Sequence, residues 1–220
     1  MGTVTIQQET VLNPITLIGR QAGICYGADT TDPTKNFKRG LDCLKSGHGR
    51  TFEFPDIYMV LEGYSARVIR EWYTHIGGAP TRLQASTRYI KYQEGFDYII
   101  PPKIKNNPPA CEVYIDTMNR ILAGLQELEA YGIPKEDSAN LLPLGMSTTI
   151  VCKHNLRNLM DMSHQRECTR AYWEYRELFK DLKEALQAYS SEWEYIVDNF
   201  FMPKCELYGK CTEKFSCGRI

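Results

Sequence analysis

Between Cys111 and Tyr131, apolar side chains recur at Ile115, Met118, Ile121, Leu122, Leu125 and Leu128, the spacing of one face of an amphipathic helix. A stripe of that length commits the chain to a second layer that covers it. Residues 3–17 alternate weakly and read as strand. Thr51–Leu61 (TFEFPDIYMVL) is aromatic and β-branched, with Pro55 marking an edge or a bulge, and Ser147–Cys152 is a further strand-like run. Helical spacing appears in Lys35–Leu44 through Phe37, Leu41 and Leu44, with Gly47 as a stop. Ser65 caps a run ARVIREWY that Gly77-Gly78 and Pro80 terminate, and Asn155–Tyr195 is a long helical stretch with a break. Strands cluster early and helices late. The expected class is therefore α/β in the broad sense (α+β), a mixed or antiparallel sheet with helices on one side. At 220 residues, a single domain over 1–200 followed by a Cys-containing tail at 201–220 accounts for the chain.

A formal net charge of −1 carries no global pull toward nucleic acid or a membrane surface. The polar N-terminus (MGTVTIQQET) lacks the parts of a signal peptide, and no stretch reaches the roughly 20 apolar residues of a membrane helix. A cytoplasmic location is the expectation, and the 8 cysteines are then thiols, not a disulfide framework. Phosphate-loop and dinucleotide-loop glycine patterns are absent, as are HExxH, GxSxG and CxxC. Cys205, Cys211 and Cys217 are evenly spaced, but usual zinc sites pair ligands two to four residues apart, so no metal site is assigned.

Three segments could carry chemistry. In Thr74–Tyr89 (THIGGAPTRLQASTRY) a His and a Gly-Gly turn precede Arg82, Gln84, Ser86 and Arg88, which share one face if the segment is extended. Two guanidiniums, an amide and a hydroxyl on one face suit a phosphate or nucleotide, and equally suit a solvated edge. In Asn155–Arg170 (NLRNLMDMSHQRECTR), a helix puts Arg166 in a stripe with Leu159, Met162 and Trp173, where the guanidinium must snorkel, pair or meet a ligand. Arg157 and Asp161 on the other side read as an i, i+4 pair. In Gly47–Glu53 (GHGRTFE), two glycines permit close backbone approach to a ligand, and His48 equally suits a turn. His154 has no partner pattern and reads as a surface residue.

Taken in order, these segments resemble the flavin-dependent thymidylate synthase family from about Ala22 to Leu186. AGICY (Ala22–Tyr26) resembles its AARxSY/AARxCY segment, and GHGRTFEF resembles GHxxxxEH. REWYTH followed by SxRY resembles the signature in which RHR leads to NExSxRY. LLPLGMSTTIVCKHNLRNLMDMSHQRECTRAYWEYR resembles the LP…N-x-R…R…AQWEIR region. The resemblance implies a homotetrameric α/β protein with active sites at subunit interfaces. It implies methylation of dUMP with methylenetetrahydrofolate as carbon donor and FAD, reduced by NADPH, as hydride carrier. No protein nucleophile is required.

By matching position, Ser86 and Arg88 would grip the nucleotide phosphate, Glu71 and Trp72 would lie beside the nucleotide, and Gln84 would lie near nucleotide and flavin. Arg166 would contact the pyrimidine and help ionise it, the one catalytic assignment. Asn155, Arg157 and Asp161 match flavin positions, as do Cys25, Arg50, Glu53 and His75. The chain also departs from the pattern. The RHR triplet reads Thr74-His75-Ile76, about two residues are inserted before SxRY, and Leu83-Gln84 replaces the Asn-Glu pair. Asp161 replaces an Asn, and Ala139 stands where an arginine usually precedes the LP pair. Arg82 restores one charge on the flavin side. The departures open the alternatives of UMP or dCMP as substrate, a hydroxymethyl product, or a nucleotide- or flavin-binding protein without synthase activity.

Overall fold

The computed structural model describes residues 2–220. In chain order its elements are β1 (Thr3–Ile6), α1 (Pro14–Cys25), α2 (Pro33–Lys45), β2 (Asp56–Ser65), α3 (Ala66–Trp72), β3 (Thr81–Gln84), α4 (Pro102–Lys105), α5 (Pro108–Ala130), α6 (Lys135–Ser138), β4 (Ser147–Asn155), α7 (Leu156–Arg166), α8 (Trp173–Tyr189), α9 (Ser191–Phe200) and α10 (Lys204–Tyr208). Short 3-10 turns lie at Gly49–Glu53, Tyr92–Glu94 and Ala139–Leu141. The strand order is β1-β2-β4-β3. Leu156 N donates to Pro55 O and Ala66 N to Met146 O, so β2 and β4 run antiparallel. Burial alternates along β2 as far as Leu61 and along β4 as far as His154. Ile57, Met59 and Leu61 are buried along β2, as are Thr148, Ile150, Cys152 and His154 along β4.

The chain forms two compact units. The first comprises Gly2 and residues 61–73 and 83–150. Ser65 Oγ accepts from Val68 N at 3.2 Å and starts α3, whose Val68, Ile69 and Trp72 are fully buried. On α5 the expected apolar stripe is present, yet only Met118 and Leu125 are buried, while Ile115 is exposed.

The second unit comprises residues 3–60, 74–82 and 151–220. Here α1 and α2 pack backbone to backbone: a Cβ at Gly19 would overlap the Asn36 carbonyl, and one at Gly40 the Ile15 carbonyl. The Glu192 carboxylate of α9 accepts from Ile15 N (2.7 Å) and Thr16 N (3.0 Å), satisfying the positive end of α1. Leu178, Leu182 and Leu186 of α8 and Trp193 and Ile196 of α9 are fully buried, and α8 packs against α9.

Four sequence expectations are corrected. The strand reading of residues 3–17 holds only for Thr3–Ile6. Pro14, with its preset φ, begins a helix instead. Thr51–Glu53 is a 3-10 turn, and the strand starts after Pro55. The face of α2 that is buried carries Asn36, Gly40, Cys43 and Leu44, whereas Phe37 and Leu41 are half-buried. The alternation of Arg82, Gln84, Ser86 and Arg88 ends at Gln84. Ser86 Oγ accepts from Arg88 N at 3.2 Å, folding the rest into a turn.

Candidate functional site

The second unit builds its site on the junction between β4 and α7. Asn155 ends the strand and caps the helix, its Oδ1 accepting from Asn158 N at 2.9 Å. His154 is fully buried, not a surface residue. Strand alternation turns it to the same side as Ile150 and Cys152, and its Nδ1 bonds Asn158 Oδ1 at 2.5 Å. Burial lowers its pKa to about 4. The Gly77-Gly78 turn lies against these two amides. A Cβ on Gly77 would stand 3.0 Å from Asn158 Nδ2, and one on Gly78 (φ 71°) would overlap the Asn155 amide. Glycines are thus required where the loop carrying His75 meets α7.

At the other end of α7, half-buried Arg166 donates from Nε to His75 Nε2 at 2.9 Å. Its guanidinium carbon stands 4.8 Å from the centroid of the Tyr175 ring, and His75 meets the same ring edge-on at 6.1 Å. Burial, and then the Arg166 charge, lower the His75 pKa to about 4, so at neutral pH the imidazole is the neutral acceptor this bond requires. Arg166 thus meets a histidine and an aromatic ring at the end of α7. Trp173, expected in the same stripe, belongs to the next helix, and Tyr175 supplies the aromatic face.

Arg157 does not form the expected helix pair with Asp161. It reaches back to the Gly49–Glu53 turn, Nη1 donating to Glu53 Oε1 at 2.7 Å, while Arg50 stands 3.5 Å from Glu53 Oε2. One carboxylate thus serves two guanidiniums. A cavity of about 330 Å³ lies alongside, lined by Leu44, Phe52, Met160 and Phe200 together with Gly47, Arg157 and Asp161. Gly47 adopts φ 71°, and the space where its Cβ would stand is open. Cys25 is exposed at the end of α1 and does not line this cavity.

The first unit holds the other candidates. Arg88 makes an exposed 3.3 Å ion pair with Glu136 and lies over Tyr89. Gln84 is exposed, and its Nε2 lies 3.4 Å from Thr148 Oγ1. Glu71 is half-buried, and Trp72 is a fully buried core side chain.

The tail returns to the end of α7. Arg170 binds Phe215 O at 3.0 Å and Glu213 at 3.6 Å, and a second cavity of about 380 Å³ is lined by Arg166, Arg170, Lys204, Cys168, Cys205, Cys211 and Cys217. All these cysteines are thiols, and among the described residues no group of three His, Cys, Asp or Glu could hold a metal ion. Sequence reasoning missed Tyr175, Asn158 and His154. The period-two pattern of β4 carried a signal for His154 alone.

Residues 8–190 match the family model described as thymidylate synthase complementing protein, and the chain belongs to that family. Among its relatives is the flavin-dependent thymidylate synthase of Clostridium tetani, 27% identical over an alignment spanning 100% of this chain and 94% of the relative. The enzyme of the same description from Thermococcus onnurineus is 31% identical over 61% of this chain and 56% of its own length. The fold is shared with the UMP/dUMP methylase PolB from Streptomyces cacaoi, solved with 5-Br dUMP bound. That likeness has a TM-score of 0.72 at 15% identity, covering 91% of this chain and 96% of the other. No helix among the described residues is long and apolar enough to cross a membrane.

Proposed function

We propose that this protein methylates C5 of a pyrimidine nucleotide, dUMP by default, using methylenetetrahydrofolate as carbon donor and FAD, reduced by NADPH, as hydride carrier. The observation that carries the reading is Arg166. It stands at the family position of the pyrimidine-contacting arginine and is held half-buried by a neutral histidine and an aromatic ring. Its terminal amino groups would donate to a pyrimidine carbonyl oxygen and favour the ring's anionic form, lowering the barrier by stabilising charge as it develops.

The residues beside the 330 Å³ cavity fit a flavin. Leu44, Phe52 and Met160 offer apolar surface for a ring system and Arg157 offers donors for phosphate or carbonyl oxygens, while Asn155, Arg50 and Arg82, assigned to the flavin by the resemblance, do not line the cavity. Asp161, where the family has Asn, is acceptor-only once ionised, with no donor left, and suits a ribose hydroxyl or a base amine better than a phosphate. Glu53 pairs with the Arg157 and Arg50 guanidiniums, and His75 is a further residue that would contact the flavin. Bound there, the flavin would supply the hydride chemistry that a chain without an activated nucleophile cannot.

Ser86 and Arg88 would bind the nucleotide phosphate, with Gln84 near nucleotide and flavin and Glu71 and Trp72 at the positions beside the nucleotide. The proposal includes the family's homotetramer, with active sites at subunit interfaces, and a cytoplasmic location. UMP is a second substrate to test, because the fold is shared with a methylase of both UMP and dUMP. Absorbance spectroscopy with added FAD tests the reading: a bound-flavin visible spectrum supports it, and a protein that acquires none overturns it. Loss of turnover in Arg166→Ala with flavin retained separates the synthase from a flavin-binding protein of the same fold.

A further inference from the structure

We infer that His75 and Tyr175 are positioning residues that hold the Arg166 guanidinium in one orientation before any nucleotide arrives. The inference rests on the reading of Arg166 as the pyrimidine-contacting arginine.

An arginine at a helix end has a side chain of high rotamer entropy, and fixing it costs on the order of 2 kcal/mol if it must be ordered at each binding event. Here two groups of different chemistry fix it in advance. The hydrogen bond from Nε to His75 Nε2, 2.9 Å, sets the rotation of the guanidinium plane. Tyr175, fully buried, supports one face at 4.8 Å and is itself stacked on Phe179 at 6.0 Å with 21° between planes. His75 and Tyr175 also meet at 6.1 Å and 72°, so the three groups brace one another.

Two departures from the family pattern fall on this clamp. WEYR replaces WEIR, so the ring of Tyr175 stands where the pattern has an aliphatic side chain with no π face. THI replaces RHR, so His75 is flanked by Thr74 and Ile76 instead of two guanidiniums. Removing two like charges from the residues that flank its partner His75 lowers the repulsion on Arg166, and a ring adds attraction. The substitutions act in the same direction. This chain has strengthened the hold on one arginine while giving up two others.

The test compares variants that keep each interaction with variants that remove it. Tyr175→Phe keeps the ring and Tyr175→Ile restores the family residue; His75→Gln keeps an acceptor and His75→Leu removes it. Losing the ring or the acceptor lowers kcat about tenfold or more, as expected for one contact of these kinds, with KM within about twofold. Tyr175→Phe retains kcat within about threefold of wild type, and His75→Gln loses less kcat than His75→Leu. An independent readout is proton exchange at the Arg166 Nε–H, followed by NMR without nucleotide: slow in wild type, fast in His75→Leu. Unchanged kcat in folded Tyr175→Ile, or equal losses in Tyr175→Phe and Tyr175→Ile, overturns the clamp. If Arg166→Ala itself retains turnover, or wild type turns over no pyrimidine nucleotide, the reading of Arg166 fails and the clamp with it. If Arg166→Ala is dead but exchange at Nε–H is as fast in wild type as in His75→Leu, the clamp alone fails.

Discussion

Arg157 of α7 and Glu53 of the Gly49–Glu53 turn, 104 residues apart in sequence, meet in a 2.7 Å hydrogen-bonded ion pair. Both are partly exposed, so the pair contributes only about 0–1 kcal/mol to stability. Its consequence is orientation: it points the Arg157 guanidinium alongside the cavity proposed to take the flavin. Glu53→Gln is expected to leave the melting temperature nearly unchanged while weakening FAD binding about tenfold, through loss of one charge-assisted contact that orders the arginine. Fluorescence titration of the flavin alongside thermal melting checks both halves.

The phosphate assignment predicts a different signature. Arg88→Ala removes a contact made equally in ground and transition states. It should raise KM for the nucleotide about tenfold with kcat nearly unchanged. Its ion pair with Glu136 is exposed at both ends, so stability should not move. Steady-state kinetics at two salt concentrations and a denaturant melt test this.

The α1–α2 contact predicts a large stability effect far from any chemistry. In Gly40→Ala or Gly19→Ala, the new methyl would overlap a backbone carbonyl of the facing helix, which a rotamer change cannot relieve. Overpacking of this kind costs about 2 kcal/mol or more. Urea unfolding of the two variants reads it directly.

Histidine burial gives the acid limb of stability a sign. His154 falls from an ordinary 6.5 to about 4 because burial disfavours its charged form. As pH drops below 6.5 the unfolded chain takes up the proton first, so stability is lost progressively from pH 6.5 down to about 4. The full effect is about 3 kcal/mol for His154. His75 moves in the same direction and contributes less, because it is half-exposed and screened. Replacing His154 by an apolar residue would also orphan Asn158 Oδ1. His154→Asn or His154→Gln, each keeping a donor, should therefore flatten the stability–pH curve in that window. An unaltered curve would contradict the assignment.

How much of this was legible in the chain depends on the range of the interaction. Local signals were reliable: Ser65 before an apolar run, the periodic face of α5, and the strand-like run at the start of β4. The site residues came from motif order, because SxRY, N-x-R and the later arginine keep their spacing. The pairing of those residues was not legible. Nothing local says that Arg157 prefers Glu53 to Asp161, since both are carboxylates and only the fold brings the distant one nearer. Likewise Arg166 does end the helix that carries Leu159 and Met162. Its partners, His75 and Tyr175, come from 91 residues upstream and from the following helix. The two glycines of α1 and α2 read as helix-weakening residues until the facing backbone is present. The pattern of β4 did place His154 inward, and its lack of a sequence partner was the weaker argument.

The most direct test of the central claim is tritium release from dUMP labelled at C5, incubated with the purified protein, FAD, methylenetetrahydrofolate and NADPH, with labelled UMP and dCMP in parallel. Release from dUMP or another of these pyrimidine nucleotides that requires the flavin and disappears in Arg166→Ala is the predicted result. A folded protein that releases no tritium from any of the three, or releases it undiminished in Arg166→Ala, would contradict the account.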